Sequence, residues 1–153
     1  MTAEAGSRRI GEVAHAAGVT TRTLRYYQEL GLLDPGQTPG ASRRYSEADV
    51  ARLQRILELR NVMGFDLERI REILDSEDRL AELRAEAERG ISDARRREIL
   101  AEAIAINARI REQVQAKRAV LDGFLAELEE KAARYAAFAA ELGLDQPETA
   151  GVG

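Results

Sequence analysis

Residues 18–33 read GVTTRTLRYYQELGLL. Between Gly18 and Gly31, helical spacing puts Leu24 and Tyr27 on one side and the two arginines on another. Thr20 or Thr21 can cap such a helix, and Gly31 can end it, as glycine commonly does. The stretch therefore predicts a short amphipathic helix that stops at about the leucine before the second glycine.

Another short helix is predicted immediately upstream. Val13, Ala14 and Ala17 form a small apolar face that ends at Gly18. Two short helices joined by a glycine-bearing turn form a helix-turn-helix, and the second helix of that motif can lie in the major groove of DNA. The sequence therefore predicts a DNA-binding motif near its N-terminus.

The following stretch, residues 32–45, is predicted to be a hairpin, or wing, with irregular strands. It holds Pro35, Gly36, Pro39 and Gly40 between a Leu-Leu pair and an Arg-Arg-Tyr sequence.

Two further helices complete the predicted head. Ser46, with Asp49 three residues later, is a capping pair for the third helix, and Asp66 can cap the fourth. The apolar residues expected on their buried faces are Val50, Leu53, Ile56, Leu57 and Val62 in the third helix and Leu67, Ile70, Ile73 and Leu74 in the fourth.

The remainder of the chain predicts one very long helix. Ser92 or Asp93 can cap it, and over residues 93–142 it would be about 75 Å long at 1.5 Å per residue. The predicted organisation is a disordered segment at 1–7, a DNA-binding domain at 8–75, a linker or short helix at 76–92, the long helix, and a disordered tail at 143–153.

The long helix carries an apolar stripe that is typical of a coiled coil. A stripe of this length needs a partner, and a second copy of the chain supplies one most simply, so we expect a homodimer. An eight-residue step from Ile106 to Val114 and the presence of Gly123 interrupt the repeat. The predicted dimerisation residues are Ile99, Ile106, Ile110, Val114, Leu121, Leu125, Leu128 and Tyr135.

Composition limits the chemistry that the chain can perform. It has no cysteine, which excludes disulfides, thiolate metal ligands and cysteine nucleophiles, and His15 is its single histidine. We therefore expect no metal site, no cofactor and no enzymatic activity. No stretch approaches the roughly 20 apolar residues that span a bilayer, so we expect no membrane partner and a cytoplasmic location.

The net charge of −4 is unevenly distributed along the chain. Residues 1–60 hold nine arginines and seven acidic residues, a balance of +2, which leaves −6 for the rest. A mildly basic head on an acidic body suits the approach of the head to phosphate, although ordinary scatter of charge explains the same numbers.

Several motifs within residues 8–75 resemble the head of the MerR family of bacterial transcription regulators. They stand in the family's order and spacing: IGEVA at 10–14, GVT at 18–20, TLRYY at 23–27, GLL at 31–33, RRYSEADV at 43–50, and GF followed by LERI at 64–70. In the long helix the likeness is limited to the apolar repeat and a late tyrosine, Tyr135. The resemblance implies a mainly α fold, with a winged helix-turn-helix head and a long helix that forms an antiparallel coiled coil in the dimer.

The resemblance also implies which residues approach DNA. Arginine offers a planar fork of donors to phosphate or guanine, and tyrosine offers a hydroxyl group on a stiff ring. A structural role stays open for Tyr27 and Leu24, which can be core residues, and for Arg25, which can form an ion pair within the head. The candidates are Thr21, Arg22, Arg25, Tyr26 and Tyr27 on or beside the recognition helix and Arg43, Arg44 and Tyr45 in the wing.

One position departs from the family's pattern. Relatives commonly have a glycine-tyrosine pair before the wing arginine, where this chain has Ala41 and Ser42. The phosphate contact of that tyrosine is then missing, and Ser42 is a candidate to donate a shorter hydrogen bond in its place.

The resemblance bears on sensing as well. Family members that sense metals or redox state carry cysteines near the dimer helix, and members that bind bulky drugs append a further C-terminal domain. This chain has no cysteine and ends about ten residues beyond the predicted helix. The remaining expectations are a small effector bound near residues 76–100 or no effector.

We therefore expect a homodimer whose two heads bind half-sites of a pseudo-palindromic promoter operator. By resemblance, it bends and untwists the promoter and so acts on RNA polymerase indirectly; deforming the duplex costs several kcal/mol, which contacts at both heads must offset. Two alternatives remain. One is an architectural or excision-type DNA-binding factor without an effector, and the other is a coiled-coil adaptor whose head binds protein.

Overall fold

The computed structural model describes residues 8–34 and 44–144. The predicted fold class is confirmed: short elements form a helical head, and one long helix follows them. The elements are β1 (Arg8–Arg9), α1 (Ile10–Ala16), α2 (Thr21–Glu29), β2 (Arg44–Tyr45), α3 (Glu47–Leu57), a π turn (Glu58–Val62), α4 (Leu67–Ala87) and α5 (Asp93–Glu141). The chain divides into two compact units, Met1–Gly90 and Ile91–Gly153.

The ends of the helix-turn-helix lie where the sequence predicts them. The Thr20 hydroxyl accepts a hydrogen bond from the Thr23 backbone N–H at 3.1 Å, which caps α2. Gly18 and Gly31 follow α1 and α2 with φ angles of 67° and 69°, a conformation that costs little only for glycine. Local chemistry therefore fixes both the turn and the length of the second helix.

The remaining helices begin at the predicted caps. Ser46 Oγ accepts from the Asp49 backbone N–H at 3.2 Å, and the Asp49 carboxylate accepts from the Ser46 backbone N–H at 2.7 Å. Asp66 and Ser92 cap α4 and α5 with a single side-chain acceptor each. Each cap satisfies backbone donors that the first turn of a helix leaves without partners.

A small antiparallel sheet ties the start of the described chain to the start of α3. β1 pairs with β2, so that Arg8 lies opposite Tyr45 and Arg9 opposite Arg44. The sequence did not predict β1, because two residues are too few to show an alternating pattern. The centre of the predicted wing, residues 35–43, lies outside the described residues, as do the segments 1–7 and 145–153.

The core of the head combines residues from helices α1 to α4, the π turn, the loop after α2 and strand β2. Leu24, Leu53, Ile56 and Ile70 are fully buried within it. The complete cluster is Val13, Ala14, Leu24, Tyr27, Leu32, Leu33, Tyr45, Leu53, Ile56, Leu59, Ile70, Ile73 and Leu74.

The end of the third helical segment differs from its predicted apolar face. Val62 was expected in the core and is 80% exposed, whereas Leu59, which was not predicted, is 1% exposed. The physical reason is the π turn that follows Leu57. Because a π turn closes over more residues than an α turn, the α-helical spacing cannot be extended through it.

The second half of α4 occupies most of the stretch expected to be a linker or short helix. α4 runs unbroken to Ala87, and Leu83 in its last turns is buried. α5 follows from Asp93 to Glu141 as a single helix of 49 residues, about 73 Å at 1.5 Å per residue, with Gly123 inside it. None of the helices in the described part of the chain is long and apolar enough to cross a membrane.

We predict a large difference between two apolar truncations around the π turn. Leu59→Ala should lower the free energy of unfolding by about 2–5 kcal/mol because it leaves a cavity in the core. Val62→Ala should change it by less than about 0.5 kcal/mol because the side chain is exposed. Urea unfolding at one fixed protein concentration measures both, and an equal loss for the two variants would contradict the register of the π turn.

Candidate nucleic-acid interface

The rotation of α2 about its axis separates a buried face from an exposed one. Leu24 and Tyr27 are 0% and 1% exposed, so they anchor the helix in the core. Arg22 and Arg25 lie on the exposed side, and Tyr26 there is 46% exposed. The exposed face therefore carries the polar side chains that the sequence assigned to the recognition helix, and Thr21 is exposed with them.

The exposed face of α2 borders a cleft of about 570 Å³. Three guanidinium groups and three hydroxyl groups reach it, and Glu29 is its one carboxylate. Such a set of donors suits phosphate oxygens and the acceptor edges of bases. The lining residues are Thr20, Arg22, Thr23, Arg25, Tyr26, Glu29 and Arg60.

The arginines of the head fall into two groups. Within residues 8–34 and 44–144, no ion pair or hydrogen bond engages the side chain of Arg22 or Arg25. The ion pair that remained open for Arg25 therefore has no counterpart in the described structure. Both guanidinium groups have their full set of donors to offer to a ligand.

A second group of arginines is used internally. Arg52 Nε donates to the Leu32 carbonyl at 2.7 Å, and its Nη1 contacts both oxygens of Asp78 at 2.8 and 2.9 Å. Arg71 of α4 donates to the carbonyl of Leu30. These bonds hold the segment that leaves the recognition helix against α3 and α4.

Arg55 extends this arrangement along α3. Its Nη2 contacts Glu77 Oε1 at 2.6 Å, and its Nη1 contacts Glu58 at 2.7 Å. Hydrogen bonding to Glu77 raises the pKa of Arg55 above its ordinary value. Its charge is therefore committed to α4 and the π turn and is not offered to a ligand.

Arg60 is the residue of the cleft that sequence reasoning missed. It lies in the π turn, 33 positions after Tyr27, and its Nη1 donates to the Tyr27 hydroxyl at 2.8 Å. Its guanidinium carbon is also 5.9 Å from the centre of the Tyr27 ring, within the range of a cation–π contact. Nothing in the local sequence pattern indicates a contact between residues so far apart.

Tyr27 and Tyr45, both candidate DNA contacts, are 1% and 0% exposed. For Tyr27 this is the core role that the sequence left open, whereas the burial of Tyr45 was not anticipated. The Tyr45 hydroxyl accepts a hydrogen bond from Gln28 Nε2 at 2.5 Å, just as the Tyr27 hydroxyl accepts from Arg60. Their rings belong to the core because they cover the inner face of α2, and each hydroxyl fixes a neighbouring polar side chain.

The wing residues are placed only in part. Arg44 is exposed on β2, next to the buried Tyr45. Ser42 and Arg43, both candidate DNA contacts, lie outside the described residues. In the described ranges of the chain, no group of three or more His, Cys, Asp or Glu residues could hold a metal ion.

Taken together, the capped helix pair, the exposed polar face of α2 and the cleft beside it define a helix-turn-helix head. A sequence-family model, described as MerR HTH family regulatory protein, matches residues 8–77. This match covers 70 of the 153 residues, so the similarity to the MerR family is a similarity of the head.

Two curated transcription regulators are similar to part of the chain. The chain is 49% identical over 67 residues to the transcriptional activator TipA of Streptomyces coelicolor, a match that covers 43% of this chain and 26% of TipA. It is 47% identical over 70 residues to the mercuric resistance operon regulatory protein of Pseudomonas fluorescens, covering 45% of this chain and 48% of that protein. The chain thus spans between about a quarter and half of the length of these curated relatives.

A solved structure matches more of the chain. It is HiNmlR, a MerR family regulator lacking the sensor domain and bound to promoter DNA. The TM-score is 0.52 at 26% identity, and the match covers 90% of this chain and 96% of that one.

We predict that the hydroxyl of Tyr45 stabilises the head, whereas that of Tyr26 does not. Tyr45→Phe should lower the free energy of unfolding by about 1 kcal/mol because it removes the hydrogen bond that the Gln28 side chain donates to the Tyr45 hydroxyl. Tyr26→Phe should change it by less than about 0.5 kcal/mol because its ring is largely exposed. Urea unfolding of the two matched variants compares them, and equal effects would contradict the burial of Tyr45.

Proposed function

We propose that the protein is a homodimeric transcription regulator that binds duplex promoter DNA through the exposed face of α2. The observation that carries the proposal is the pair Arg22 and Arg25, exposed beside a cleft and without partners in the described structure. The promoter complex of HiNmlR, which matches nearly the whole chain, supports the same role.

In this proposal the recognition helix enters the major groove. Residues near the N-terminus of a recognition helix contact base edges, so Arg22 is the first candidate for guanine and Thr21 for a base or phosphate. Arg25 and Tyr26 then lie one turn further along the helix. Ser42, Arg43 and Arg44 of the wing remain predicted contacts.

Arg60 joins this set as a phosphate contact held by Tyr27. Its guanidinium has five donors, of which the Tyr27 hydroxyl uses one, so donors remain for a phosphate oxygen. The π turn supplies a positive charge to the cleft from an element other than the recognition helix. Tyr27 therefore serves DNA binding as a positioning residue.

The proposed output follows from binding at two half-sites. Two heads on one duplex can offset the several kcal/mol needed to bend and untwist it. RNA polymerase would be affected only indirectly, through the changed shape of the promoter. A small effector would act by changing how the two heads are held. A promoter-binding role places the protein in the compartment that contains the DNA, the bacterial cytoplasm.

We predict that removing either of two cleft arginines weakens binding and its salt dependence. The probe is a duplex selected from a genomic fragment library by the wild-type protein. Arg60→Ala should reduce the slope of log K against log salt by about 0.9, the value for one lost phosphate contact. Arg22→Ala should also weaken discrimination between the selected duplex and an unrelated one.

The control is Arg84→Ala, which removes the same charge from an exposed position in the last turn of α4. It should leave affinity and slope unchanged. If Arg60→Ala leaves the slope unchanged, only the proposed role of Arg60 is contradicted. If the wild-type protein does not bind duplex DNA at low salt, DNA binding itself is contradicted.

We predict that the apolar stripe of α5 holds two copies together. Leu128→Glu places a charge in the stripe and should convert the dimer to monomer in sedimentation analysis. Ala126→Glu adds the same side chain on the opposite side of α5, where residue 126 is also exposed, and should remain dimeric. A monomeric wild-type protein at micromolar concentration would contradict the proposed homodimer.

A further inference from the structure

The exposed apolar row on α5 differs from the stripe expected from the sequence. Ile99 and Ile106, which the sequence assigned to the seam, are 6% and 2% exposed in a single copy of the chain. One residue later, Leu100 begins a row that is exposed throughout and repeats every seven residues. The row is Leu100, Asn107, Val114, Leu121, Leu128, Tyr135 and Leu142.

This row contains no irregular step. The eight-residue interval from Ile106 to Val114 disappears once the row starts at Leu100. A seven-residue repeat kept over six intervals is the pattern of a left-handed coiled coil. A second row, three residues further on, completes the seam with Ala103, Ile110, Lys117, Phe124, Lys131 and Phe138.

The charges of α5 are polarised along the helix. Residues 93–118 hold seven basic and four acidic residues, a balance of +3. Residues 119–141 hold two basic and five acidic residues, a balance of −3. An antiparallel pair of such helices places the basic half of each copy beside the acidic half of the other, whereas a parallel pair places like charges together.

In an antiparallel coiled coil, residues of the first row meet residues of the second row of the other copy. When Asn107 meets Lys131 of the second copy, Leu100 meets Phe138, Val114 meets Phe124 and Leu128 meets Ile110. These layers match polar with polar and apolar with apolar. The Leu121 layer meets Lys117, whose aliphatic stem can lie along the seam while its ammonium group reaches water.

Sliding one copy by a single heptad destroys this match. In one direction Asn107 meets Phe124 and Lys131 meets Leu100, and in the other Asn107 meets Phe138 and Lys131 meets Val114. Both shifts bury polar groups against apolar side chains, which is unfavourable without hydrogen-bond partners. A single polar layer is known to fix register in coiled coils in this way.

From these observations we infer that a second copy covers the Leu100 row in one antiparallel register, fixed by a polar layer between Asn107 and Lys131. The midpoint of this pairing falls at residue 119, close to the middle of α5, so the two helices overlap along nearly their whole length. The inference rests on the proposed homodimer and adds which residues set its alignment.

Cysteine cross-linking of the full-length chain tests the register, because the natural sequence contains no cysteine. Three double variants combine Asn107→Cys with Lys131→Cys, Phe124→Cys or Phe138→Cys. The first should form intermolecular disulfides roughly tenfold faster or more, because a one-heptad slide separates the sulfur atoms by about 10 Å, beyond the reach of a disulfide. Faster cross-linking through residue 124 or 138 would overturn the register.

The single variant Asn107→Cys tests the orientation. In the antiparallel pairing the two copies of residue 107 are 24 positions apart along the seam, about 36 Å, so this variant should not cross-link to itself. Efficient self-linking would mean a parallel pair and would overturn the inference. If sedimentation finds only monomer, the homodimer itself fails, whereas a dimer with another cross-linking pattern contradicts the register alone.

A matched pair of reporters tests the polar layer. Val114→Cys with Phe124→Cys reports the inferred register, and Leu121→Cys with Phe124→Cys reports the neighbouring one. In the natural background the first pair should link roughly tenfold faster or more. Adding Asn107→Leu and Lys131→Leu should raise the melting temperature of the dimer and bring the two rates together, and an unchanged preference would show that the polar layer does not set the register.

Discussion

The structure of the head depends on the burial of Leu24 and Tyr27 beneath α2. These two side chains are almost completely excluded from solvent, and so they fix the rotation of the recognition helix about its own axis. Residues two or five positions away must then point outward, because successive residues of an α-helix are 100° apart. The exposure of Arg22 and Arg25 is therefore a consequence of core packing. A surface that reads DNA can be rigid only when the opposite face is held in this way.

The arginines of the head have two different roles. Arg52 and Arg71 donate to the carbonyl groups of Leu32 and Leu30, where the chain leaves the recognition helix, and Arg52 is paired with Asp78 of α4. These partly exposed pairs contribute little to stability singly, but their directional bonds connect the exit of α2 to α4. The net charge of −4 therefore does not describe the head. Some of its arginines are neutralised by acidic residues of the fold, and others are available to a ligand.

The features that could be predicted from the sequence are those that depend on interactions between residues close together in the chain. The caps at Thr20, Ser46 and Asp66 and the turn at Gly18 each depend on residues within a few positions, so they can be read from spacing alone. What it missed depends on contacts between distant residues: the pairing of β1 with β2, the π turn that exposes Val62, and the placement of Arg60 against Tyr27. On α5 the period of the apolar stripe was evident, but which of two adjacent rows faces solvent depended on the folded chain.

The register of the α5 pair would matter because the alignment of two rigid helices determines the distance between their ends. Sliding two antiparallel helices by one heptad changes the separation of their N-termini by about 10 Å at 1.5 Å per residue. Half-sites one helical turn apart on DNA are separated by about 34–36 Å over 10–10.5 base pairs, so 10 Å corresponds to about three base pairs. A seam of apolar residues alone would tolerate such a slide, because every heptad offers a similar set of contacts. The inferred polar pair at one level would remove that freedom, and a loss of dimer stability would then be the cost of holding two heads at one spacing.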